Sequence, residues 1–115
     1  MLTKTRSRNF KVEDLGDVSV VTFIDKKLLD PKEIQIMGEE LSRLVDEQGR
    51  QHLILDFQHV EYLSSTALGK FINLYKKLKT TGGKLVIRNI NTQIQELFDL
   101  CCLPWETIIE GAQPA

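Results

Sequence analysis

Three hydroxyl side chains stand in a row at Ser64, Ser65 and Thr66, inside the segment YLSSTALGK of residues 62–70. Apolar residues at helical spacing follow, so the run marks the junction of a loop with a helix. A helix N-terminus carries unpaired N–H groups and a partial positive charge. Ser64 is the best placed of the three to cap it, accepting a hydrogen bond from a backbone N–H two or three residues on. Ser65 then falls in the first turn, facing outward, where a phosphate would gain charge–dipole stabilisation without unfolding the chain. The plainer alternative is that all three residues only cap and turn.

Other residues offer less. A serine hydrolase needs a base, and the chain has only His52, which opens a strand pattern, and His59, in a loop pattern. No G-x-S-x-G elbow is present. Gly82-Gly83 lacks the surroundings of a phosphate loop and reads as a helix stop. The histidines and Cys101-Cys102 have no usual metal-ligand spacing, so neither a metal nor another cofactor is expected. The adjacent cysteines could form a vicinal redox pair, but one lies on an apolar helical stripe, which favours buried packing. Asp56, at a strand end, is placed like the phospho-acceptor of a response regulator. The acidic metal pocket which that chemistry needs is missing before Val18. Trp105 reads as a half-buried aromatic closing the core. Lys70, Lys76, Lys77 and Lys79 read as a solvated face, with contact to an acidic partner as the alternative.

The elements that must position these residues follow from the hydropathy pattern. The chain has 115 residues, 42% of them apolar and 27% charged, which suits one globular domain. Its net charge of −1 argues against nucleic-acid binding driven by overall charge. Two adjacent cysteines cannot staple a fold, and no apolar run is long enough for a membrane span or a signal peptide. The expected location is the cytoplasm. Lys4, Arg6, Arg8 and Lys11 make the start basic; residues 1–9 read as a flexible arm, 10–110 as the domain and 111–115 as a flexible tail.

Phe10–Asp14 and Val18–Ile24 read as strands joined by a turn at Gly16-Asp17. Asp30, Pro31 and Glu33 open a helix with a cap, a first-turn proline and a capping-box pattern. Ile34, Met37, Leu41, Leu44 and Val45 share its face, and Gly49 stops it. His52–Phe57 reads as a strand, followed by a loop through Tyr62. The spacing predicts a second helix over 65–79, with Leu68, Phe71, Ile72, Tyr75 and Leu78 inward. Lys84–Arg88 is a strand. A third helix starts near Asn91-Thr92 and turns Ile94, Leu97, Phe98 and Cys101 to one face. Glu106–Ile109 reads as a last short strand. The alternation predicts a single α/β domain with a mostly parallel central sheet and alternating helices.

The stretch from Leu53 to Leu103 resembles the core of STAS-domain anti-sigma-factor antagonists, the anti-anti-sigma factors of bacterial partner switching. Their signature is a hydrophobic strand, then Asp-Ser-Ser/Thr-Gly-Leu-Gly opening a helix, a Gly-Gly turn, a strand and a helix with Leu-Phe-Asp. The matching residues are Ser65, Thr66, Leu68 and Gly69, then Gly82 and Gly83, then Leu97, Phe98 and Asp99. The likeness covers about residues 12–110 and is clearest over 52–103. Ser64 stands where the family usually has Asp, and Ala67 where it has Gly. The family's Gly-x-Leu-Asp after its early strand is met only at Leu29-Asp30.

The resemblance implies a STAS fold and a non-enzymatic, phosphorylation-switched module. The unmodified protein would bind a serine-kinase anti-sigma factor of the GHKL type and release a sigma factor. Phosphorylation at Ser65, with Ser64 and Thr66 as lesser candidates, would switch it off, and a PP2C-type phosphatase would reset it. The implied docking residues are Asp30, Ser64, Ser65, Thr66, Ala67 and Leu68. The alternatives are a STAS subunit of a stress-sensing complex or lipid transporter without a phosphate cycle and, more remotely, a small hydrolase or redox protein.

Overall fold

The computed structural model describes residues 5–6 and 10–100. In chain order the elements are β1 (Thr5–Arg6), β2 (Phe10–Leu15), β3 (Val18–Phe23), β4 (Lys27–Leu28), α1 (Pro31–Asp46), β5 (His52–Asp56), β6 (Tyr62–Leu63), α2 (Ser65–Thr80), β7 (Lys84–Arg88) and α3 (Thr92–Asp99). The main sheet has the order β1-β2-β3-β5-β7, and β4 and β6 form a separate two-stranded sheet. β3–β5 and β5–β7 are parallel, whereas the hairpin β2–β3 and the pair β1–β2 are antiparallel. The α/β class and the parallel centre are as expected. Apart from the two-residue β1, two of the three pairings in the main sheet are parallel.

Thr5 and Arg6 pair with Val12 and Lys11. These two residues of the expected arm thus lie on the sheet edge that β2 offers. The strand expected at 106–109, Cys101, Cys102, Trp105 and the tail lie outside the described residues.

Register sorts the sheet into two unlike faces. Val12, Val21, Leu55 and Ile87 stand side by side across four strands, each at most 2% exposed. One residue along, Glu13 is exposed, Val20 is at the edge of burial, and Ile54 and Val86 are half-buried. Side chains alternate across a strand, so the first row faces the helices and the second faces away. A single core cluster joins that inner face to the inward residues of all three helices, among them Met37, Phe71 and Phe98. The helices thus cover one face.

Helix α1 begins as its sequence demands. The Asp30 carboxylate accepts hydrogen bonds from the Lys32 and Glu33 N–H groups at 2.8 and 3.4 Å, and Pro31 takes the first helical position. Helix α2 turns inward on Ala67, Leu68, Phe71, Leu74 and Leu78, with Ile72 and Tyr75 only partly buried. The inward arc is rotated from the expected stripe towards Leu74, because α1 packs beside α2. Between them the Lys70 stem crosses α1 at Gly38, and its Nζ donates to Gln35 Oε1 at 3.0 Å. At the far end Gly82 adopts φ +79°, and a Cβ on Gly83 would lie 2.4 Å from the Gln51 carbonyl oxygen. The expected Gly-Gly stop is thus both a left-handed turn and a close approach to β5.

A mostly buried polar group closes this same end of the sheet. Arg50, just before β5, pairs with Asp14 at the end of β2 and donates to Ser19 Oγ at 2.9 Å. The Ser19 hydroxyl donates to Asp14 at 2.6 Å. Burial pushes the Arg50 guanidinium below its ordinary pKa.

Two stability changes follow. Phe71 is fully buried, with its ring 5.5 Å from Phe23 and 5.2 Å from Phe57, so Phe71→Ala should cost about 3–5 kcal/mol in urea unfolding. Arg50→Ala should cost about 1–3 kcal/mol, because it leaves a mostly buried carboxylate short of donors. A loss below about 1 kcal/mol for Phe71→Ala would contradict this register of α2.

Candidate functional site

The site is built where two short strands meet two helix starts. β4 and β6 pair in parallel, Lys27 with Tyr62 and Leu28 with Leu63. The Lys26 carbonyl accepts from the N–H groups of Glu61 and Tyr62 at 2.7 and 3.1 Å, and the Leu28 carbonyl from that of Ser64 at 3.1 Å. Each strand runs on within two residues into a helix, so Leu29-Asp30 lies alongside Ser64-Ser65. Two helix N-termini are thereby set side by side. The loop expected through Tyr62 ends in the strand Tyr62–Leu63, which sequence did not reveal because a two-residue strand has no periodicity to detect.

The three hydroxyls do different jobs. Ser64 is half-buried and caps α2: its Oγ accepts from the Ala67 N–H at 3.2 Å. Ser65 and Thr66 are exposed in the first turn. That turn holds no acidic side chain, so the partial positive charge of the helix end meets no carboxylate from its own first turn. The serine standing where the family usually has Asp therefore supplies the cap itself.

Exposed apolar side chains gather at this end of the sheet. Leu29 is 47% and Tyr62 48% exposed, and Ile24, just past β3, is 43% exposed. The Lys27 ammonium lies 5.7 Å from the centre of the Tyr62 ring. Ile24 carried no functional signal in sequence, whereas Leu29 belongs to the Leu29-Asp30 match and Tyr62 opens the segment of residues 62–70; their exposure is what the structure adds. Two of the implied docking residues face the core. Ala67 is fully buried and Leu68 is 6% exposed, since both lie on the inward arc of α2, and they shape the surface from beneath. Asp30 is exposed beside the serines, with one carboxylate oxygen committed to its cap.

The remaining candidates are not brought together. His52 stands at the start of β5, the end of the strand away from β6, and His59 is exposed in the loop that follows. Asp56 is buried, and its Oδ1 accepts from the Gln58 N–H at 3.0 Å and from Asn89 Nδ2 at 3.1 Å. It pins two loops rather than opening to a phospho-donor. The lysine run is partly spent on local contacts: Lys70 on Gln35, Lys77 on Asp46 at 2.8 Å, and Lys79 over the Tyr75 ring. Among the described residues no three His, Cys, Asp or Glu side chains converge as metal ligands. Nor, among them, is any helix long and apolar enough to cross a membrane.

This architecture, with a hydroxyl-bearing helix start beside a short parallel strand pair, defines a class. The STAS domain model matches residues 10–106, and the chain belongs to the STAS domain family. Over 72 residues it is 33% identical to the anti-sigma-B factor antagonist of Bacillus subtilis, covering 63% of this chain and 64% of that one. It is 19% identical over 72 residues to the anti-sigma F factor antagonist of Paenibacillus polymyxa, covering 62% of that protein. These alignments thus span just under two thirds of the relatives' lengths. In fold it is similar to phosphorylated SpoIIAA, a Bacillus cell-fate determinant, with a TM-score of 0.74 and 14% identity over 90% of this chain and 91% of that one. It is likewise similar to a serine-to-glutamate variant of RsbS from Moorella thermoacetica, with a TM-score of 0.75 and 18% identity over 94% and 89%.

The division of labour is measurable without a partner. Ser64→Ala should lose about 1 kcal/mol of unfolding free energy through the missing cap. Ser65→Ala should stay within about 0.5 kcal/mol of the parent. The reverse order in urea unfolding would mean that Ser65 is the cap.

Proposed function

We propose that this protein is an anti-sigma-factor antagonist that docks on a serine-kinase anti-sigma factor and is switched off by phosphorylation at Ser65. The observation that carries the reading is the split between adjacent hydroxyls: Ser64 is spent on the cap, and Ser65 is presented to solvent in the next position. Around Ser65 the exposed Leu29 and Tyr62 offer apolar area of the kind that excludes water from a docked interface. The curated relatives supply the class of partner.

The mechanism is electrostatic and needs no catalysis by this domain. Unmodified, the patch around Ser65 carries only the opposite charges of Lys27 and Asp30 and can be buried against the kinase, which releases its sigma factor. Phosphate adds about two negative charges within that patch. On the free protein they are stabilised by water and by the α2 N-terminus. In the complex they must be desolvated against a surface shaped for a hydroxyl, which weakens docking. A PP2C-type phosphatase then restores the neutral form.

The test joins phosphosite mapping to partner capture. Protein isolated from its native cells should carry phosphate on Ser65 by mass spectrometry, and the kinase recovered with it should be of the GHKL type. Ser65→Ala should bind that kinase constitutively. Ser65→Asp should fold as well as the parent, because a carboxylate in a first helical turn is favourable by about 0.3–1 kcal/mol, yet bind more weakly. Phosphate on Ser64 alone would shift the acceptor by one residue. A transporter ATPase or a stress-sensing assembly recovered in place of the kinase would replace this reading.

A further inference from the structure

Gly69 occupies an interior position of α2, where glycine is less favourable than any residue but proline. Nothing within the described chain requires it. Its φ is not in the left-handed region, and a Cβ added there meets no heavy atom within 4 Å. The glycine of α1 is different: a Cβ on Gly38 would come within 2.7 Å of the Lys70 side chain. Gly69 lies four residues after Ser65, on the same helical face. At about 100° per residue it points almost directly away from the buried arc of Ala67, Phe71 and Leu78.

We infer that Gly69 is a specificity-determining contact of the docking surface, kept without a side chain so that the backbone of the partner can close against α2 one turn beyond Ser65. The inference rests on the docking reading above. A missing Cβ permits the closest approach of another chain. Such an approach leaves Ser65 no water-filled gap, so a phosphate there cannot be accommodated by a small shift of the partner. On the face of Gly69, two turns further along, α2 carries the exposed Lys76, and the helix has no acidic residue, so the segment that packs there is acidic.

Gly69→Ala and Gly69→Gln test the proposal against the purified serine-kinase anti-sigma factor recovered with the parent protein. Gly69→Ala should raise the thermal midpoint by about 3–6 °C, since it removes an unfavourable helical glycine without a clash. It should nevertheless weaken kinase binding about three- to tenfold by calorimetric titration, and Gly69→Gln should weaken it by more than about tenfold. A lower midpoint for Gly69→Ala would overturn the inference, because the fold would then need the glycine. If Gly69→Gln binds like the parent while Ser65→Asp binds more weakly, the inference fails and the docking reading stands. If the parent protein binds no serine-kinase anti-sigma factor, both fail.

Discussion

The orientation of α2 depends on the aromatic contact between Phe71 and the sheet. The rings of Phe23, Phe57 and Phe71 meet edge to face with centres 5.1–5.5 Å apart, and none is more than 1% exposed. Such contacts tolerate little rotation of a helix about its axis, because the interior is packed as densely as a crystal. Once Phe71, Leu74 and Leu78 face the sheet, the helical period turns Ser65 and Gly69 to solvent. Presentation of the first turn is therefore decided at buried residues away from the surface.

The second constraint is the short pairing of β4 with β6. Alone it involves two residues from each strand. Its effect is large because each strand is followed within two residues by a helix start. Asp30 supplies a carboxylate at the start of α1, while the first turn of α2 has none. One N-terminus is thus compensated by charge and the other is left to accept it. The pair also carries the exposed Tyr62 and leads into the exposed Leu29, so apolar area and uncompensated helix end come from the same local geometry.

STAS membership and the likeness to anti-sigma-factor antagonists agree with these features, and the departures from the family pattern have physical accounts. A serine in place of the usual Asp still caps α2 through its Oγ. An alanine in place of the usual Gly sits fully buried, where a methyl group adds to the core. Neither change alters the exposure of Ser65. Away from the site, the Arg50–Asp14–Ser19 group fastens the hairpin to the start of β5.

Much of this was legible in sequence because it is local. Pro31 behind Asp30, the cap at Ser64, the Gly82-Gly83 stop and the β-branched run of Val18–Phe23 each specify structure within a few residues, by dihedral preference, hydrogen-bonding reach or side-chain period. The order of the elements and the family signature follow from the same local patterns. Tertiary structure decided the rest. The burial of Leu74 in place of full burial for Ile72 and Tyr75 depends on where α1 packs. The sheet's single covered face depends on three helices choosing one side. The β4–β6 pair is invisible to any period, and with it the meeting of Leu29 and Tyr62 at Ser65. Ala67 and Leu68 lie within the signature segment by sequence and in the core by packing. A pattern along the chain tells which residues share a face; which neighbour covers that face is set by contacts between residues far apart in the chain.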